Sequence, residues 1–193
     1  MRWAALAFFV AAIMAAIVEP GISARPAAAV VAPITLALPD ISPLMTDSLA
    51  IPVSGVRREA LHSTFNEGRI GHIHHAIDIL APRGTPVIAA VDGRIRKLFT
   101  SGPGGLTIYE TDPTDSIIYY YAHLDGYAAG IAEGVAVHRG DIIGYVGTTG
   151  NAPKNTPHLH FAVSTLPASK EWWKGEAVDP YPILMEHGVT MLR

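Results

Sequence analysis

The sequence predicts a mainly β protein: a single compact antiparallel β-sheet or sandwich domain with little helix. From Pro52 onward, β-branched and aromatic residues fall in short runs, and Gly, Pro and Asp clusters separate those runs at close intervals. Many short strands with frequent turn signals are the pattern of antiparallel sheets and sandwiches. Only residues 169–175 and the C-terminal residues offer a helical pattern, and both are weak.

Strands are expected at residues 77–80, 87–91, 106–110, 117–122, 142–146 and 158–163. Between them stand Pro82-Arg83-Gly84, Asp92-Gly93, Gly102-Pro103-Gly104-Gly105, Asp112-Pro113 and Gly150-Asn151. Asp-Gly suits the two-residue turn of a hairpin, so Asp92-Gly93 is expected to join residues 87–91 to 94–98. Gly102 to Gly105 lacks the following helix and the Lys-Ser/Thr pair of a phosphate-cradling loop, and reads instead as a tight turn.

The N-terminal part has a different character. Arg2 precedes an apolar run over residues 3–18, and Gly21-Ile22-Ser23-Ala24 offers a small-x-small cleavage pattern. That is the layout of a secretory signal over residues 1–24. The alternative is an uncleaved anchor, but the run falls short of the ~20 residues that span a bilayer comfortably. An exported protein is therefore expected, in the periplasm or at the extracellular cell wall, with no membrane span once the signal is cleaved. Residues 25–50, rich in Ala and Pro, read as a linker. The domain is expected over residues 51–185, with a short tail at 186–193.

Composition narrows the function. With 49% hydrophobic and 16% charged residues the chain can bury a core, so it is not disordered by composition. At a net charge of −3, with no basic stripe interleaved with aromatics, it carries no nucleic-acid footprint. The absence of cysteine excludes disulfides, thiolate metal sites, a cysteine nucleophile and a lipid-modified cysteine. Any metal must therefore sit on imidazole and carboxylate.

The nine histidines are unevenly placed: His72, His74 and His75 form one cluster, His158 and His160 another. On a strand, residues two apart point to one face, so both imidazoles of His158-Leu159-His160 project together while Leu159 and Phe161 pack behind. His74 and Asp78 would lie about 13 Å apart on a straight strand, too far to share an ion, so the chain must bend between them. Ala76 is small enough for a crowded approach there. Two imidazoles and a carboxylate make a tetrahedral zinc site with an open fourth position, the arrangement of catalytic rather than structural zinc. Strand geometry leaves open which of His158 and His160 is the ligand. The other, with His123 of Tyr120-Tyr121-Ala122-His123-Leu124, is a candidate proton carrier, since no His-Glu-x-x-His helix supplies a glutamate base. His62, His72, His75, His138 and His187 read as ordinary polar positions.

His74-x-x-x-Asp78, Tyr121-Ala122-His123-Leu124 and His158-Leu159-His160 resemble, in type and order, the motifs of the lysostaphin-type, or LytM-type, zinc endopeptidases of peptidase family M23. The stretches Ala81-Pro82-Arg83-Gly84-Thr85-Pro86-Val87, Ala90-Val91-Asp92-Gly93, Gly147-Thr148-Thr149-Gly150-Asn151 and Ala177-Val178-Asp179-Pro180 extend the resemblance over residues 51–184. It implies one Zn²⁺ held by His74, Asp78 and His160, with His123 and His158 as non-ligand catalytic histidines. It also implies a compact antiparallel β domain with a groove, and peptides of bacterial peptidoglycan as substrate. Two departures stand out. Ala76 occupies a position commonly glycine, and the approach from Ser63 through Arg69 is shortened and altered. A non-catalytic regulator of other wall hydrolases on the same fold is the alternative; a β-fold phosphate carrier is a third class, but leaves His74 and Asp78 without a purpose. Nothing in the sequence identifies a protein activator.

Overall fold

The computed structural model describes residues 49–186. The expected signal over 1–24, almost all of the 25–50 linker and residues 187–193 lie outside the described residues. Among the described residues no helix is long and apolar enough to cross a membrane.

In chain order, a 3₁₀ turn (Arg58–Ala60) precedes β1 (Gly68–Arg69), β2 (His72–Ile73), β3 (Ile77–Leu80), β4 (Pro86–Ile88), β5 (Gly93–Ser101) and β6 (Gly105–Thr111). Then come β7 (Ile117–Tyr127), β8 (Ala136–Val137), β9 (Ile142–Val146), β10 (His158–Thr165), β11 (Ala177–Val178) and a short helix, α1 (Pro180–Met185). The main sheet runs β11-β10-β7-β6-β5-β8, with β3 added on β10, and β9 joining β7 to β4; β1 and β2 form a separate hairpin. Every pairing among these strands is antiparallel, as the sequence predicts.

Alternation sets the core. Ile77, Ile79, Leu159, Phe161, Tyr119 and Tyr121 point to one side of their strands and are buried. Residues between them face the opposite side, where Asp78, His160 and Tyr120 are only partly covered. At the C-terminal end, Asp179 caps α1 by accepting from the Tyr181 N–H at 2.9 Å, and Pro180 opens the helix where its missing N–H costs nothing. Leu184 of this helix is fully buried.

Three expectations fail here. No hairpin forms at Asp92-Gly93, because β4 pairs with β9 while β5 pairs with β6 and β8. The strand expected over 87–91 stops at Ile88: Ala89 N–H turns to the Asp141 carbonyl and Ala90 N–H to the Tyr121 hydroxyl, both at 2.9 Å. Gly93 serves close packing instead of turning, since a Cβ there would lie 2.1 Å from the Thr111 carbonyl oxygen. Residues 169–175 form turns and no helix, closed by bonds from Lys170 N–H to Pro167 and from Lys174 N–H to Glu171, with Lys170 itself at φ 58°.

Glu110 of β6 is fully buried and accepts a hydrogen bond from the Tyr121 hydroxyl. Burial pushes its carboxyl up to about 8, against that hydrogen bond, which favours the carboxylate. In an unfolded chain the same group titrates near ~4.3. Between those values the folded state holds a proton that the unfolded state has lost, so stability falls as pH rises across this window and levels off above it. Glu110→Gln keeps the acceptor for Tyr121 and removes the titration. In urea unfolding at pH 5 and pH 8, the variant should lose less stability between the two than the wild type, by on the order of 1–4 kcal/mol. Parallel pH profiles would contradict this.

Candidate metal centre

Strand β10 lies between β3 and β7, with Asp78 directly opposite His160 and His160 directly opposite Ala122. Directly opposed residues share a face with Cβ atoms about 4.5–5.5 Å apart, so register alone brings the carboxylate and the imidazole together. His158, two residues before His160, projects from the same face. Ala122 leaves the space above β7 open.

His74 reaches this face from the β2–β3 connection. The bend that the spacing demands falls at His75, which adopts the left-handed conformation at φ 54°. Ala76 has no positive φ and is fully buried, which is why alanine stands there without backbone strain. The loop before β1 fixes the bend: His74 N–H donates to the Glu67 carbonyl at 3.0 Å and His75 N–H to Phe65 at 2.9 Å. The His75 ring packs on Phe65 instead of joining the cluster.

The atoms that meet are His74 Nε2, Asp78 Oδ1 and His160 Nδ1. They are separated by 3.0 Å between the two nitrogens, 3.1 Å from His74 to Asp78 and 3.3 Å from His160 to Asp78. Ligand atoms at ~2.0–2.1 Å from a tetrahedral ion lie about 3.3 Å apart, so the three fit one face of such a site. Their hydrogen bonding points the same way. His74 Nδ1 lies 3.1 Å from the Thr64 carbonyl, a contact only an Nδ1–H can satisfy and shorter than the 3.3 Å to Arg69 Nη2, which would need the other tautomer. With the Thr64 bond made, the neutral ring presents a lone pair at Nε2. Asp78 Oδ1 is buried and has no hydrogen-bond partner. A lone pair and an orphaned carboxylate oxygen on the same small triangle are matched by a cation; this donor set, two imidazoles and one carboxylate without sulfur, fits Zn²⁺.

His123 and His158 flank the triangle. Their rings stand 5.0 Å apart, the His123 ring lies 5.6 Å from that of His160, and His158 Nε2 is 3.8 Å from Asp78 Oδ1. Each donates its Nδ1–H to a backbone carbonyl, His123 to Thr149 at 2.9 Å and His158 to Thr156 at 2.8 Å. In the neutral ring this tautomer puts the lone pair at Nε2. β7 runs past His123 to Tyr127, further than expected, and His123 sits in it at φ 62° with its N–H on the Gly104 carbonyl at 2.8 Å. A non-glycine residue held in this region is a strained position of the kind that collects at functional sites. Thr149 is fixed through its hydroxyl, which donates to the Leu124 carbonyl at 2.7 Å and accepts from the Leu106 N–H at 3.0 Å. Gly105 and Gly150, both at positive φ, let the two loops approach this closely, since a Cβ there would meet the facing loop at 2.2 Å and 2.3 Å respectively.

Burial lowers the His74 imidazole and brings His123 down to about 4, so His123 is neutral at neutral pH. Burial alone would raise the Asp78 carboxyl, but the imidazoles around it, His160 foremost, hold it at about 2. The five residues line a cleft of about 670 Å³, walled by Pro103 and Gly104 on one side and Ala152 and Pro153 on another. His72 lies at the rim of the same cleft; His62 and His138 are exposed, and His187 is outside the described residues.

Arg69 was not legible as a site residue. Its guanidinium donates to Asp78 Oδ2 at 2.9 Å and lies 3.2 Å from Glu67 Oε2, which leaves Oδ1 as the carboxylate atom facing the cleft. Partners behind a metal ligand commonly contribute 10–100-fold to affinity. For a divalent ion taken up by this triangle, Arg69→Ala should therefore weaken binding by roughly 10–100-fold in a competitive chelator titration, with the stoichiometry unchanged. An unaltered affinity would show the pair to be a surface contact. The backbone carbonyls of Thr64, Thr149 and Thr156 were equally hidden, since every residue carries one.

The model for "Peptidase family M23" matches residues 72–180, which takes in all five of these residues. The L-Ala--D-Glu endopeptidase of Bacillus subtilis (strain 168) is 36% identical over 117 residues, covering 58% of this chain and 34% of that protein. Cell division protein DipM of Caulobacter vibrioides is 31% identical over 122 residues, covering 63% of this chain and 19% of that one. This chain thus spans only about a third and a fifth, respectively, of the length of these curated relatives. The catalytic domain of the antimicrobial peptidase lysostaphin from Staphylococcus simulans superposes with a TM-score of 0.52 at 32% identity, covering 62% of this chain and 84% of that domain. With more than half of its 193 residues inside the family match, the chain belongs to peptidase family M23.

Proposed function

We propose that this chain is an exported zinc endopeptidase that hydrolyses peptide bonds in the crosslinks or bridges of bacterial peptidoglycan, with His74, Asp78 and His160 as metal ligands and His123 and His158 as its catalytic histidines. The observation that carries this reading is the 3.0–3.3 Å triangle of His74 Nε2, Asp78 Oδ1 and His160 Nδ1, flanked by two imidazole lone pairs. When bound, Zn²⁺ supplies Lewis acidity, acidifying water and polarising the scissile carbonyl. Export rests on the apolar run at residues 3–18, and the wall substrate on family membership and the names of the relatives.

The chain's own residues supply the proton handling. His158 Nε2 accepts a proton from the attacking water, and the imidazolium so formed faces the Asp78 carboxylate at 3.8 Å. The Thr156 carbonyl keeps that ring in the tautomer the step requires. His123, kept neutral by burial and oriented by Thr149, positions the water by accepting a hydrogen bond at Nε2. His158 then returns its proton to the departing amine. Incubating purified peptidoglycan with the zinc-loaded protein should release new free amino groups. Their absence, with zinc bound at one equivalent, would favour the regulator reading.

A further inference from the structure

We propose that the aromatic row leading from the metal centre to Trp173 is a saccharide shelf, holding an N-acetylhexosamine ring of the glycan strand while the attached peptide lies in the cleft; this rests on the function proposed above. Register places the row. Tyr120 stands opposite Ala162, one same-face step along from the His160–Ala122 pair, and is also opposite Tyr109 on β6. Both tyrosines therefore lie on the face that carries the metal ligands. Their rings continue without a break: Tyr120 lies 5.9 Å from His160 and 4.7 Å from Tyr109, and Trp172 lies 4.5 Å from Tyr109. Trp172 then meets Phe99 at 5.5 Å and Trp173 at 5.2 Å.

A satellite core explains the half-buried members of this row but not its outer end. Trp173 is 60% exposed and Phe99 41% exposed. The row starts at the cleft through Tyr120 and ends, outside the cleft lining, in aromatic surface left in water, the kind of surface that marks interaction sites. The loop carrying the two tryptophans is fixed to the sheet: Arg96 donates to the Lys170 carbonyl at 3.3 Å, and Lys170 Nζ lies 3.2 Å from Asp115 Oδ2. The chemistry of the surroundings selects the occupant. A hexosamine ring offers a C–H face to an aromatic plane and hydroxyl and acetamido groups at its edges. Lys174 and Glu171, paired with each other at 2.8 Å, flank Trp172 and Trp173 in the chain and supply a donor and an acceptor of the kind such edges need. Tyr120 lines the cleft and also begins the shelf, so one molecule can occupy both. In peptidoglycan a sugar is joined covalently to the stem peptide, only a few units of ~3.3–3.6 Å away from the bonds of that stem.

The test uses the full chain in two arms. First, a peptide-free N-acetylglucosamine oligosaccharide is titrated and followed by NMR, which needs no peptidase activity. The Trp172 and Trp173 indole resonances should shift saturably, Trp173→Ala should weaken binding at least tenfold, and Trp173→Phe should restore most of it. Second, kinetics are compared on stem peptides with and without the attached sugar. Trp173→Ala should raise KM about five- to twentyfold on the sugar-bearing substrate alone, with kcat unchanged. No saturable shift, or an equal loss on both substrates, would overturn the shelf. Saccharide binding without cleavage would instead remove the peptidase reading and leave the shelf standing.

Discussion

His160→Ala should leave the protein folded, unable to hold zinc and without measurable turnover of peptidoglycan peptides. Its side chain is about one-fifth exposed and sits on the open face of β10, so truncation removes no core contact comparable to Leu159 or Phe161. The loss falls on the triangle. Without Nδ1 of His160, His74 and Asp78 offer two ligands where a catalytic zinc site needs three. The Asp78 carboxyl would also lose the strongest of the influences that hold it at about 2. Metal content after dialysis should drop from one equivalent to background, and activity should fall roughly a thousandfold or more. Thermal unfolding of the metal-free wild type and variant should coincide closely. A variant that keeps one equivalent of zinc would remove His160 from the ligand set.

His158→Ala should separate chemistry from metal binding. His158 Nε2 is 3.8 Å from Asp78 Oδ1, outside the 3.0–3.3 Å triangle, and its ring contact is with His123. Zinc should remain at one equivalent with an affinity within a few-fold of wild type, while kcat falls by about 10²–10⁴, the usual contribution of a positioned acid/base. KM should change little, because the step lost is proton transfer and not binding. Zinc lost along with activity would show that His158 is a ligand; turnover unchanged would show that it has no part in the reaction.

The strands bounded by turn residues were legible in the sequence. Residues 77–80 and 142–146 match to the residue, because each sits between obvious turn signals; 77–80 also alternates buried and open, whereas 142–146 is buried on both faces at Ile143, Gly144 and Val146. Residues 87–91 misled, since their apolar character comes from burial of Ala89, Ala90 and Val91 in a segment whose hydrogen bonds go to Asp141 and Tyr121. Asp92-Gly93 misled for a related reason: a glycine required for close approach looks the same in sequence as one required for a turn. Spacing demanded a bend that would bring His74 to Asp78, but it left His158 and His160 open, and only the resemblance to the M23 motifs chose His160; the residue that bends, His75, has no compositional mark. His123 likewise gives no sign in sequence of its positive φ. The groups that select tautomers are backbone carbonyls, and the guanidinium behind Asp78 comes from a hairpin whose docking only the folded chain reveals.

The most direct measurement of the central claim follows a single peptidoglycan digest through metal removal and zinc add-back, with released fragments identified by mass spectrometry. New peptide amino termini should appear with the zinc-loaded protein, cease after chelation and return with one equivalent of Zn²⁺. The same fragments released at an undiminished rate by the metal-free protein would contradict the account.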